Sequence, residues 1–267
     1  MTDILLRFVH ISDTHITPDM SYSTPYASYP PLVGMQKLLQ EVNALPFTPD
    51  FILHTGDVAY DPVPEVYATV RDLMAQFKAP VYYVAGNHDS SAALQHIVMQ
   101  RESLLPQWHG EFEINGVQLI CVDSNGPAKI PAGNITPQQL AWLETLCAAN
   151  DERPLIIAVH HNIVPCGVPW LDDFMRTDNG TAFHDVVVKA RQRLRGVFHG
   201  HIHQPIDMMR DGVVYSAAAS PWCQFGAFPM PDNTEVTPDP LAQPGFSVVS
   251  ITRQQTYIRR HTFTIND

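Results

Sequence analysis

Short apolar runs, each stopped by a polar cluster, recur along the first two hundred residues. LLRFVHIS leads into Asp13-Thr14-His15, DFILHT into Gly56-Asp57, and PVYYVA into Gly86-Asn87-His88-Asp89. LIIAV leads into His160-His161, and GVF into Gly200-His201-Ile202-His203. Continuous apolar runs of strand length, bounded by turn residues, predict buried strands. Between them the spacing turns helical. Met35, Leu38, Leu39 and Val42 put one apolar face on a helix over about 34–43. A second helix is predicted over about 65–77, led by Pro64, a residue suited to a first turn, and a third over about 91–102. Alternating strands and helices predict an α/β fold.

The pattern changes after the third helix. Residues 111–114 and 117–122 flank Asn115-Gly116, the turn dipeptide of a two-residue hairpin. Thr136-Pro137 reads as an N-cap and first turn of a helix running to about Cys147. A strand at 155–159, a helix near 184–192 and a strand at 197–198 follow. The tail returns to strands at 213–216, 246–252 and 256–264. Two stretches, 165–180 and the Pro-rich 221–244, read as inserted loops, and loops of that length are usually lids, interfaces or disordered segments. One domain over 1–267 is expected.

Composition narrows the function. The chain is 45% apolar and 16% charged, which marks it as globular. A net charge of −11 argues against a nucleic-acid surface, which needs clustered Lys and Arg. No apolar run approaches the roughly 20 residues that span a bilayer, and MTDILLRFVHISD reads as a core strand rather than a signal peptide. Cys121, Cys147, Cys166 and Cys223 have no metal-binding spacing, so a reducing, cytoplasmic setting is expected.

Aspartate, histidine and one asparagine recur in the five clusters, and these residue types bind first-row divalent metals through N and O. Strand ends converge at one rim of a sheet, where α/β proteins place their sites. The order D-x-H, GD, GNHD, H, GHxH resembles the calcineurin-like metallophosphoesterase superfamily. Within it, the chain most resembles bacterial class III cyclic nucleotide phosphodiesterases and glycerophosphodiesterases. The resemblance implies a mixed α/β fold, a four-layer α-β-β-α sandwich of two packed sheets flanked by helices. It also implies a two-metal phosphohydrolase acting on a small phosphoester, with a metal-bridging hydroxide as nucleophile.

By the same resemblance Asp57 bridges the two ions, Asp13, His15 and His203 complete one, and Asn87, His160 and His201 complete the other. Such donors accept divalent or trivalent Fe, Mn, Zn or Co. His88 is the expected catalytic residue, contacting the phosphoryl oxygen and assisting the leaving group, with Asp89 orienting it. Asn87, His88 and His161 are expected toward the substrate, His161 equally as a residue behind the ligands. The remaining histidines, among them His10, His54 and His199, are expected to be structural. Tyr60 completes a GDxxY pattern that in purple acid phosphatases supplies a tyrosinate ligand. His15 makes such a ligand redundant here, so Tyr60 is expected to pack. Tyr22, Tyr26 and Tyr29 are candidates to cover the substrate. Trp170 and Trp222 are candidates to cap the site or to sit in a homodimer or higher homo-oligomer contact. A phosphomonoesterase with the same metal core is the rival enzyme, and a non-catalytic scaffold or binding module is the rival class.

Overall fold

The computed structural model describes residues 3–22 and 24–265. Its apolar runs do form strands: β1 (Leu6–Ile11), β2 (Phe51–His54), β3 (Val81–Tyr83), β6 (Leu155–Val159) and β7 (Leu194–His199), with the hairpin β4 (His109–Ile114) and β5 (Val117–Val122) between. β8 (Asp207–Arg210), β9 (Val213–Ala217), β10 (Gly245–Ile251) and β11 (Thr256–Thr262) complete the set. One sheet has the order β11-β10-β1-β2-β3 and the other β4-β5-β6-β7-β9-β8. β1, β2 and β3 run parallel, as do β5, β6, β7 and β9. Every polar cluster therefore leaves the same end of its sheet.

Three apolar layers explain the sandwich. Between the sheets, Phe8 stacks on Phe51 with ring centroids 4.9 Å apart and meets Phe198 of the opposite sheet edge-on at 5.1 Å. Leu53, Leu119, Cys121, Ile156 and Val249 fill the rest of that layer. Outside the first sheet lie α1 (Pro31–Asn43) and α2 (Pro64–Met74), which bury Met35, Leu38, Tyr67 and Val70 against Val9, Ile11 and Ile52. Outside the second lie α4 (Pro137–Cys147) and α6 (Gly180–Val187), which cover Ile120, Ile157 and Val197 with Leu143, Phe183 and Val187. Thr136 caps α4 as expected: its Oγ1 accepts from Gln139 N, and the Gln139 side chain bonds back to Thr136 N. Asn115 and Gly116 take φ of 52° and 75°, the left-handed pair a tight hairpin requires.

Two expected elements differ. The helix over 91–102 is a three-residue turn, α3 (Ser91–Ala93), running into a π-helical turn at Leu94–Val98. The buried Gln95 side chain bonds both Leu105 N and Leu105 O, drawing the following segment in and ending the regular ladder. β8 was not expected. Its sequence, DMMR, is an exposed edge with no alternation to read.

The two inserted stretches pack on each other rather than standing as separate loops. α5 (Pro169–Phe174) lies in the first; Trp170 Nε1 donates to Gly226 O of the second, and Trp170 N to Asn233 O. Val168, Trp170, Leu171 and Ile202 form a small core with Phe225 and Val236 against it. Trp170 is fully buried and Trp222 is 4% exposed, so neither offers the surface a homodimer contact would use. Among the described residues no helix is long and apolar enough to cross a membrane.

Candidate metal centre

Chain direction reverses sharply where strands reach the rim, and the backbone shows it. Asp13, His15, Asp57, His201 and His203 all adopt positive φ, at 54°, 43°, 52°, 70° and 57°. For residues other than glycine that region costs about 1–2 kcal/mol each, and such strain gathers at functional sites. Glycines make the close approach feasible. A Cβ on Gly86 would collide with Asp57 Oδ1, and one on Gly200 with Ser12 Oγ and Asp13 Oδ2. Gly86→Ala is expected to displace the Asp57 carboxylate and empty the site of metal, a result that metal analysis of the purified variant reads directly.

The turns gather two donor groups. Asp13, His15, Asp57 and His203 form one, and His160, His161 and His201 the other, with ligand atoms in each within 4.8 Å of one another. Asp57 lies between them: its Oδ2 is 3.6 Å from His15 Nε2 and 3.4 Å from His160 Nε2. His15 Nε2 is 3.2 Å from His203 Nε2, His203 Nε2 is 3.6 Å from Asp13 Oδ1, and His160 Nε2 is 3.1 Å from Asn87 Oδ1. Metal–ligand bonds of about 2.0–2.2 Å at roughly tetrahedral or octahedral angles place neighbouring donors ~2.9–3.6 Å apart. The residues present therefore fit two first-row ions sharing Asp57.

Backbone carbonyls fix which imidazole nitrogen faces inward. His160 Nδ1 donates to Thr55 O at 2.8 Å and His203 Nδ1 to Cys223 O at 2.8 Å, leaving each Nε2 free. His201 Nε2 donates to Met175 O at 2.9 Å, leaving Nδ1. Such outer bonds set the tautomer a metal needs. Burial holds His15 and His201 well below the usual imidazole range and brings His203 down to about 4, which keeps their lone pairs available. Burial, with Asp57 nearby, pushes the Asp13 carboxyl up to about 7. Burial also acts to lower His160, but the Asp57 carboxylate prevails and raises it to about 9. Both rises reflect buried anionic charge, which cations would neutralise.

His88 faces the site. Its Nδ1 donates to Tyr60 O at 3.1 Å and its backbone N to Asp57 Oδ1 at 2.8 Å. Asp89 does not orient it, contrary to expectation. The Asp89 carboxylate accepts from Val58 N, Ala59 N, Gly86 N and Tyr67 OH, and so ties the loop after Asp57 to the loop before Asn87. The Tyr60 carbonyl does the orienting instead, a contact that no side-chain pattern signals. His161 is fully buried within the second donor group, with Nδ1 at 2.6 Å from Ser124 Oγ and Nε2 without a hydrogen-bond partner; it is not on the cavity wall expected for substrate contact. His54 and His10 bond Thr14 and Thr55 beneath the rim, and His199 bonds Gly200 O.

A cavity of about 310 Å³ opens over His15, Asp57, Asn87, His88, His201 and His203. Tyr22 and Tyr26 line it, as does Tyr60, while Tyr29 lies outside it. A larger cleft of about 640 Å³ beside α2 and β3 holds none of the donor residues.

Comparison with known proteins agrees with this geometry. The family model for calcineurin-like phosphoesterases matches residues 6–205. A Pseudomonas aeruginosa protein named 3′,5′-cyclic adenosine monophosphate phosphodiesterase CpdA is 30% identical over 250 residues, covering 92% of this chain and 85% of that one. A dimetal phosphatase from Danio rerio superposes with a TM-score of 0.62 at 14% identity, covering 98% of this chain and all of that one. A Plasmodium protein described as GAP50, the anchor in the inner membrane complex, superposes at 0.60, also at 14% identity, covering 98% of this chain and 89% of that one.

Proposed function

Because the chain belongs to the calcineurin-like phosphoesterase family, we propose that it is a two-metal phosphodiesterase of small phosphodiesters, with cyclic nucleotides and glycerophosphodiesters as the candidate classes. The observation that carries this reading is the donor set, complete on both sides of Asp57. In that arrangement Asp13, His15 and His203 would hold one ion and Asn87, His160 and His201 the other, with Asp57 shared. Two bound ions would supply hydroxide at neutral pH and positive charge against the phosphoryl oxygens. Asn87 contributes an uncharged oxygen, which leaves its ion more electrophilic. His88, tethered through Nδ1, presents its other ring nitrogen to the cavity, where the doubly protonated ring would give that nitrogen's one proton to the departing oxygen and be left neutral.

The cyclic AMP phosphodiesterase named among the relatives supports the diester reading over the monoester one. A scaffold role, in the manner suggested by the anchor protein among the structural neighbours, is disfavoured by a ligand set with no gap. The cysteines are all free thiols, which supports a reducing, cytoplasmic setting.

The test is to load the protein with Mn, Fe, Zn or Co and assay phosphomonoesters and phosphodiesters side by side. About two ions per chain, the stoichiometry of a two-metal site, with turnover of bis-p-nitrophenyl phosphate and cyclic nucleotides well above p-nitrophenyl phosphate, is the expected result. Monoester turnover alone would transfer the site to the rival enzyme class.

A further inference from the structure

The cleft beside α2 and β3 takes no part in the metal centre, and its chemistry is different. Three cations line it, Arg71, Lys78 and Arg101, and no described aspartate or glutamate does. That runs against the composition of a chain with 27 acidic residues and 16 basic ones. The neighbouring carboxylates are engaged elsewhere or at the surface. Glu111 and Glu113 flank Phe112 on β4 but bond Gln118 and Arg153, as strand alternation dictates. Asp72 pairs with Arg71 in an exposed position, where such a pair contributes little. Lys78 Nζ bonds the neutral Asn43 carbonyl at 2.8 Å. Among the described residues neither Lys78 nor Arg101 has a carboxylate partner.

Irregular backbone holds Arg101 at the cleft. The π-helical turn at Leu94–Val98 leads to Gln100, which lines the cleft with φ of 53°, left-handed for a residue other than glycine. Such strain gathers at functional sites. Arg101 N then donates to Gln95 O at 2.9 Å, and its guanidinium lies 4.2 Å over the Trp108 ring, a cation–π contact. Trp108 is fixed in turn by its Nε1, which donates to Tyr83 O of β3. Arg101 Nε, however, is buried with no hydrogen-bond acceptor. A buried charged donor left unpaired is costly, and an anion in the cleft brings acceptors to this side chain. The rest of the wall includes the partly exposed rings of Tyr82 and Phe112, which meet edge-on at 4.7 Å.

We propose that this cleft is a second ligand site, and that it takes an organic anion of two or more charges built on a flat, apolar body. It shares no lining residue with the cavity over the donors. Its volume of about 640 Å³ is that of a small-molecule site. The anionic groups pair with Arg101 and Lys78, and the body lies against Tyr82 and Phe112.

Sulfonates serve as probes, since they carry the charge without being phosphoesters. Calorimetry on the metal-loaded chain compares three of them. Naphthalene-2,6-disulfonate has a ring and two charges, naphthalene-2-sulfonate a ring and one charge, and propane-1,3-disulfonate two charges and no ring. The first is expected to bind about 10-fold more tightly than the second, the share of one hydrogen bond to a charged group, and roughly 5-fold more tightly than the third. Arg101→Ala and Lys78→Ala should each weaken it by about 10-fold with metal content unchanged, while Asp57→Ala should leave its affinity intact. Equal binding of the naphthalene disulfonate and either comparison probe, or full affinity in both cleft variants, overturns the proposal. Loss of binding in Asp57→Ala does so too, because it moves the probe to the metal centre. Should Arg101→Ala fail to fold without its contact to Trp108, Lys78→Ala decides alone, its residue being exposed.

Discussion

Asp57→Ala is expected to lose both metals and all measurable turnover together. Asp57 reaches both donor groups: its Oδ2 lies within 3.6 Å of imidazole nitrogens on either side, and Oδ1 accepts from the His88 amide. Its removal takes away the shared anion that holds two cations near each other against their mutual repulsion. The remaining donors then become two separate, poorly neutralised groups. Turnover should fall by at least ~10⁴-fold, a modest share of the ~10⁶–10¹⁷ that enzymes typically deliver. Metal analysis is the decisive readout, and Asp57→Asn, which keeps the shape and removes the charge, should also bind metal weakly. An Asp57→Ala protein that retained two ions per chain would show that Asp57 does not bridge.

His88→Ala is expected to do the opposite with the metals, keeping them while slowing the reaction by about 10²–10⁴-fold, the usual contribution of a positioned proton donor. The substitution leaves the backbone amide on Asp57, so the bridge stays in place. It removes only the ring that the Tyr60 carbonyl orients toward the cavity. A proton donor matters most when the departing oxygen is basic. The loss should accordingly be larger for a diester with an alkoxide leaving group than for one releasing p-nitrophenolate. Equal losses for both would place His88 on the phosphoryl oxygen alone.

Much of this site could be read before the fold was known, and the reasons are local. Apolar runs mark buried strands wherever they fall, and polar residues after them mark the rim, so Asp13, Asp57, Asn87, His160 and His201 stood out together. Sequence proximity misled where side-chain direction decided the outcome. Asp89 follows His88 directly, yet its carboxylate turns back to staple two loops. His161 follows His160, yet its ring turns to Ser124 and away from the cavity wall. The carbonyls of Thr55, Met175 and Cys223 could not have been found at all. Every residue has a carbonyl, and only the tertiary path of the chain brings these three against imidazoles. The π-helical turn was hidden for a related reason, since its apolar spacing is that of an ordinary helix until Gln95 draws Leu105 in.

Five of the proposed ligand residues stand in left-handed backbone and together carry on the order of 5 kcal/mol of conformational cost, a large part of the ~5–15 kcal/mol by which a domain is stable at all. Selection for turnover is what keeps aspartate and histidine at such positions, because glycine would sit there more comfortably and do nothing. A descendant released from that selection would gain stability with each ligand it exchanged for glycine. Loss of the reaction would therefore run downhill in folding energy, and the family's fold would outlive its chemistry in any lineage that found another use for it.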